Sequence, residues 1–222
     1  PEQQALGIEL QVRLWLAENT GQIGIVTQDR RLARRLRALF ERSGIQLQDQ
    51  SGWALSTTSA AAVLERWLES IEQDFDHLPL LDLLKSPLLI DEQNREAHLK
   101  TVYRFEQDIV LHENIASGLR RYRRQLDIRH KRLPEIWTLE MTAALHELFD
   151  QLEHAASPLL AIMGKQKLQP VTFINALQES LQRLGLLDAF TNDAAGQRIL
   201  TELEGMLQAL NGRKLVMHWA EL

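Results

Sequence analysis

The guanidinium groups are the side chains in this sequence whose number and spacing can do chemistry, and that chemistry is the grip of phosphate oxygens. Arg30, Arg31, Arg34, Arg35, Arg37 and Arg42 form one cluster, and Arg120, Arg121, Arg123, Arg124, Arg129, Lys131 and Arg132 form a second, in which Asp127 is the one acid. A guanidinium fork binds two phosphate oxygens at once, so a row of arginines along a helix can follow a nucleic-acid backbone. On a wheel of about 100° per residue, Arg30, Arg31, Arg34 and Arg37 lie opposite an apolar stripe of Leu32, Leu36, Leu39 and Phe40, with Arg35 and Arg42 nearer its edge. Two uses stay open for the first cluster. Either it binds phosphate, or it pairs with the acidic stretch 45–118, which has 13 acids against 5 bases, and holds parts of the protein together. The second cluster has too few acids nearby to be read as a self-compensated surface. The expected DNA-binding set is Arg30, Arg31, Arg34, Arg35, Arg120, Arg121, Arg123 and Arg124.

The net charge of -5 does not argue against this reading. Phosphate contacts act over about a Debye length of 10 Å, so a local patch outweighs the total. Tyr122 stands inside a stripe of Ile115, Leu119 and Leu126, which places it in the core rather than under a base, and Trp53, Trp67, Trp137 and Trp219 read as core or interface anchors.

Other chemistries lack their residues. No GxxxxGK[ST] loop is present, and Gly164-Lys165-Gln166 has neither the upstream glycine nor the hydroxyl that would hold magnesium. His146-Glu147 begins like HExxH, yet Asp150 occupies the place of the second histidine and His154 comes too late. Acid pairs such as Asp74 with Asp76 read as surface, and no nucleophile elbow or nuclease signature occurs. No catalytic residue, metal or cofactor is expected of this chain. With 222 residues, 45% hydrophobic and 25% charged, no long apolar run and no cysteine, it reads as a cytoplasmic protein without a membrane partner. A start at Pro1 without methionine suggests a piece of a longer protein.

The elements that must carry the arginines follow from periodicity and punctuation. Leu6, Leu10 and Leu14 with Trp15 predict a first helix that stops at Asn19-Thr20-Gly21. Ile23, Ile25 and Val26 predict a short strand, Asp29 caps the arginine helix, Gly44 closes it, and Ile45 with Leu47 predict a second strand. A turn at Ser51-Gly52 leads to a helix capped within Ser56 to Ser59 and running to about Ile71. After Phe75 only helices are predicted, with loops at Pro79, Ser86-Pro87, Pro134, Ser157-Pro158, Gly164 and Gln169-Pro170. The final KLVMHW is open between strand and helix. The expected fold is mostly α: a small α/β subdomain over 1–76, two short strands with flanking helices, followed by an all-helical subdomain over 77–222.

The stretch IGIVTQDRRLARRLRALFERSGI followed by SGWALSTTSAAAVLERWL resembles AddB-type proteins, helicase-like, nuclease-bearing subunits of bacterial double-strand-break repair that include RecB-family exonuclease-like DNA repair proteins. The likeness covers roughly residues 8–90 and is most specific at Thr27 to Arg31, Arg34-Arg35, Ser51-Gly52-Trp53 and Leu55 to Thr58. More distantly, Gly24 to Ile45 is similar to a unit of the second RecA-like domain of UvrD-type helicases. Where active helicases carry a Gly-Gly turn, aromatics and Arg-Glu-Ile, SGWALSTT stands here, which implies a helicase fold without its ATPase motifs. The resemblance implies a RecA-like 2A unit followed by a 2B-like helical insertion that scaffolds DNA, with a helicase partner subunit and any nuclease outside this stretch. It carries Arg30, Arg31, Arg34 and Arg35 over as motif positions; the 120–132 cluster is added by charge alone. The competing expectation is a protein-interaction scaffold that docks on the parent protein or a helicase partner.

Overall fold

A computed structural model describes residues 2–19, 21–48, 55–90, 93–165, 167–213 and 215–219. The chain divides into two compact units, Pro1–Trp53 and Ala54–Leu222.

In the first unit, α1 (Glu2–Ala17) packs on α2 (Arg30–Arg42). Asp29 caps α2: its Oδ1 accepts the N–H groups of Arg31 at 2.8 Å and Leu32 at 3.4 Å. Gly44 takes φ +67°, and Ile45 N–H reaches back to the Phe40 carbonyl at 2.9 Å, a Schellman closure. Leu32, Leu36, Leu39 and Phe40 are buried, as their spacing requires. Their counterparts on α1 are Ala5, Glu9 and Val12. Leu6, Leu10 and Leu14 lie on another face and are 47%, 61% and 49% exposed. Small Ala5 and Val12 leave room for the bulky row on α2.

The predicted α/β subdomain does not form. Residues 21–28 and 45–48 carry no strand, and the chain is 70% helical. Ile23, Ile25 and Ile45 are half-buried anchors against the α1–α2 core, while Val26 is 98% exposed. Runs this short gain a ladder only when another strand takes up their N–H and C=O groups, and two of them do not suffice. Without strands among the described residues, no RecA-like arrangement is seen there either. The predicted Ser51-Gly52 turn and Trp53 lie outside the described residues.

The second unit comprises α3 (Ser59–Glu72), α4 (His77–Leu84), α5 (Arg95–Arg104), which continues as a π-helix over Phe105–Leu111, α6 (Leu119–Arg132), α7 (Leu139–Leu160), α8 (Pro170–Arg183), α9 (Leu186–Thr191) and α10 (Ala194–Leu210). The division falls before α3, whereas the sequence reading puts it after residue 76, because α3 packs on α4 and α10 and shares their core. Thr58 caps α3 and Thr138 caps α7. The wide π turn brings Phe105, Ile109 and Val110 all inward. Phe105 meets Tyr122 edge-on at 5.0 Å and Phe149 at 5.4 Å, and buried Trp67 donates its indole N–H to Ser180 Oγ at 2.9 Å.

Three prolines expected in loops lie inside helices, Pro170 at the first position of α8 among them. Pro79 sits in the first turn of α4, where a missing N–H costs nothing. Pro158 lies in the last turns of α7 and leaves the His154 carbonyl without its helical donor. Arg183 Nη1 at 3.0 Å and Ser157 Oγ at 2.9 Å take that carbonyl instead. The C-terminal segment is neither strand nor helix: Leu168 and Met217 exchange hydrogen bonds of 2.9 and 2.8 Å in one isolated bridge. Trp219 stacks edge-on to Phe173 at 5.6 Å. No helix among the described residues is long and apolar enough to cross a membrane.

Candidate nucleic-acid interface

Helix α6 is fixed from below before it displays anything above. Gly118, at φ +97°, precedes it and donates its N–H to the Asp74 carbonyl at 2.8 Å. His77 N–H meets the Ala116 carbonyl at 2.8 Å, and the chain turns there through Asp74 and Phe75, both left-handed at φ +53° and +55°. Tyr122, wholly buried, points its hydroxyl between the carbonyl oxygens of Phe75 and Ala116 at 3.1 and 2.9 Å. Burial first, and the charges of Asp76 and Asp74 second, hold its pKa well above the ordinary phenol value. Tyr122 is therefore a neutral donor that pins the helix to this strained turn, and no base can reach its ring. Leu119 and Leu126 complete the inner face.

The basic residues of α6 then separate into two groups. Arg123 and Arg129 flank the inner face and are engaged. Arg123 Nη2 lies 2.8 Å from Asp150 Oδ1 and 3.0 Å from Glu153 Oε2, its Nη1 donates to the His146 carbonyl at 3.1 Å, and its guanidinium stands 5.6 Å from the Phe149 ring centre. Arg129 pairs with Glu113 at 2.6 Å. His146 Nε2 lies 2.9 Å from Asp127 Oδ1.

Arg120, Arg121, Arg124, Lys131 and Arg132 are exposed and form no salt bridge among the described residues. At about 100° per residue they share an arc of about 120°, opposite Leu119, Tyr122 and Leu126. From Arg120 to Arg132 the row runs about 18 Å at 1.5 Å per residue. That length matches about five base-pair steps of duplex at 3.4 Å. Of the predicted α6 residues, Arg120, Arg121 and Arg124 belong to this face and Arg123 does not. Lys131 and Arg132 join it because eleven residues make three turns, which stacks 131 over 120 and 132 over 121.

On α2, Arg30, Arg31 and Arg34 are exposed and form no salt bridge among the described residues. Arg35 is drawn to Glu2 on α1, with Nε 2.8 Å from Oε1, and so holds the two helices together. Beside it, Glu9 accepts from Arg13 Nε at 3.1 Å and Ser43 Oγ at 2.8 Å. Those hydrogen bonds, Arg13's first, hold its pKa below the ordinary carboxylate value. The two basic faces lie in different units, and each stands by itself as a candidate surface.

Among the described residues no group of three histidine, aspartate or glutamate side chains is placed to hold a metal ion. No protein-family model, no curated protein and no solved structure matches the chain.

Proposed function

We propose that this chain binds the phosphate backbone of DNA through the outer face of α6, with Arg30, Arg31 and Arg34 of α2 as a second contact surface, and performs no chemistry of its own. The observation that carries the reading is the sorting of charge on α6. Asp150 and Glu153 are taken up by Arg123, Glu113 by Arg129 and Asp127 by His146, and the five cations of the outer face form no salt bridge among the described residues. Uncompensated cations repel one another and gain from a polyanion whose condensed counterions they release. The likeness of Thr27 to Arg31 and Ser51 to Thr58 to AddB-type proteins favours DNA in double-strand-break repair as the setting, within a cytoplasmic helicase–nuclease assembly.

A second reading is a protein-interaction scaffold that docks on a parent protein or helicase partner, and the half-exposed Leu6, Leu10 and Leu14 of α1 favour it. Fluorescence anisotropy of labelled duplex and single-stranded DNA at two salt concentrations separates the two. Salt-sensitive binding supports the DNA reading, and no binding at low salt refutes it.

A further inference from the structure

The two sides of α1 are chemically unalike. One packs on α2 through Ala5, Glu9 and Val12, and the other carries Leu6, Leu10 and Leu14, four residues apart and each at least 47% exposed. On a wheel of about 100° per residue, the side chains within about 40° of Leu10 are Gln3, Leu6, Leu14 and Ala17, all exposed and none charged. The charges along one edge of this face are already matched within the molecule: Arg35 Nε lies 2.8 Å from Glu2 Oε1, and Arg13 Nε lies 3.1 Å from Glu9 Oε1. A face without cations has no hold on phosphate, and one without spare charge is complemented by another uncharged apolar surface.

Gly7, about 60° from Leu10, adds a hollow. A β-carbon built there would meet nothing within 4 Å, so no neighbour inside the chain requires a glycine, and a glycine in mid-helix weakens the helix. What it permits is close approach from outside. Projection and hollow on this one helix fit each other when two copies run antiparallel about Leu10. Residues equally far from Leu10 in sequence then meet: Leu10 faces Leu10, Leu6 faces Leu14 of the other copy, and long Gln3 faces short Ala17. Leu14 stands beside Leu6 and over Gly7 of the other copy, so both halves of the contact come from the same surface, as a twofold interface demands. A foreign partner would have to supply the matching projection; a second copy already carries it. The helix has 16 residues and is about 24 Å long, so the pair forms a small interface, below about 1,200 Å², and associates weakly.

We infer that the Leu6–Leu10–Leu14 face of α1 is a dimerisation surface for a second copy of this chain, the two helices antiparallel with Leu10 on the twofold axis. The sequence has no cysteine, so a single introduced one reports its own contacts. The test is oxidative cross-linking of Leu10→Cys, Leu6→Cys and Leu14→Cys variants of the whole chain at about 1 M salt, which screens the arginine clusters beyond about 3 Å. Leu10→Cys is expected to form a disulfide-linked dimer. Leu6→Cys and Leu14→Cys are each expected to stay unlinked alone and to link when mixed, since the two copies of either residue stand about 12 Å apart along the helix axes and a disulfide spans at most about 7 Å between Cα atoms. Sedimentation velocity of the cysteine-free chain is expected to show a dimer fraction that grows with concentration. Gly7→Leu fills the hollow and suits a helix better than glycine, so it is expected to keep or raise the melting temperature while weakening the dimer about tenfold. A chain that stays monomeric up to about 1 mM, linking of Leu6→Cys alone as readily as Leu10→Cys, or a dimer indifferent to Gly7→Leu overturns the inference.

Discussion

Replacing Arg121 and Arg124 together by alanine removes two of the five unpaired cations on α6 while leaving Leu119, Tyr122 and Leu126 in place beneath them. Alanine is the best helix former, and both positions are exposed, so the variant keeps its fold. If each of the five cations neutralises one phosphate, log K falls with log salt at a slope of about -4.5 on duplex. Between about 50 mM and 200 mM salt that is a loss of about 500-fold. With three cations left the slope is about -2.7 and the loss over the same interval about 40-fold. Should α2 add contacts, both slopes steepen, yet their difference stays about 1.8 on duplex, or about 1.4 on a single strand. Anisotropy titrations at four or more salt concentrations give the two slopes directly, and circular dichroism with thermal melting confirms that the variant is folded. A folded variant whose slope equals that of the intact chain refutes the placement of DNA on the outer face of α6, whatever the absolute affinity.

Arg123 provides the contrast: Arg123→Ala breaks its contacts with Asp150, Glu153 and the Phe149 face, so it should lower stability by about 1 kcal/mol and leave the salt slope unchanged, as thermal melts and the same titrations would show. Gly196→Ala is expected to destabilise by about 1–3 kcal/mol in urea unfolding, because a methyl group there stands 2.5 to 2.8 Å from Phe190 backbone and Cβ atoms. His98 is half-buried with Nε2 2.8 Å from the Leu84 carbonyl, and burial holds its pKa below the imidazole value of 6.5. Its neutral form is the one the fold accepts. The folded state therefore keeps its full stability above pH 6.5 and loses part of it as pH falls from there toward the lowered value. His98→Gln should flatten the dependence of melting temperature on pH across that window, and an unchanged dependence would refute the assignment.

The helices were legible because their apolar periods are long enough to be unambiguous, as at Leu32 to Phe40 and at Leu119 to Leu126. The strands were not, and the reason is physical. Three apolar residues between glycines suit a buried strand and a loop anchor equally well; what decides is whether a partner supplies hydrogen bonds, and that partner lies elsewhere in the chain or nowhere. Ile23 and Ile25 found a helix pair to lean on and Val26 found solvent. The leucines of α1 marked the helix but not its packing face. Their spacing defines a face, but the face that packs is chosen by the shape of the neighbour, and the large side chains of α2 fit against Ala5 and Val12. At Pro158 the usual loop signal failed because Arg183, far away in sequence, supplies the donor that proline lacks.

For the site, counting arginines overstated the free charge of α6. Arg123 and Arg120 are indistinguishable by type and local density, yet one is spent on Asp150 and Glu153 and the other is not. Position on the wheel separates them: Arg123 lies within about 40° of Leu119, where the neighbouring helix α7 brings its acids, whereas Arg120 lies about 100° away. The same geometry raises Lys131 and Arg132 from the end of a charged tail to members of the outer row. It follows that the phosphate-binding capacity of such a helix is set by the cations its neighbours cannot reach. On α6 the cations without a salt bridge among the described residues are Arg120, Arg121, Arg124, Lys131 and Arg132.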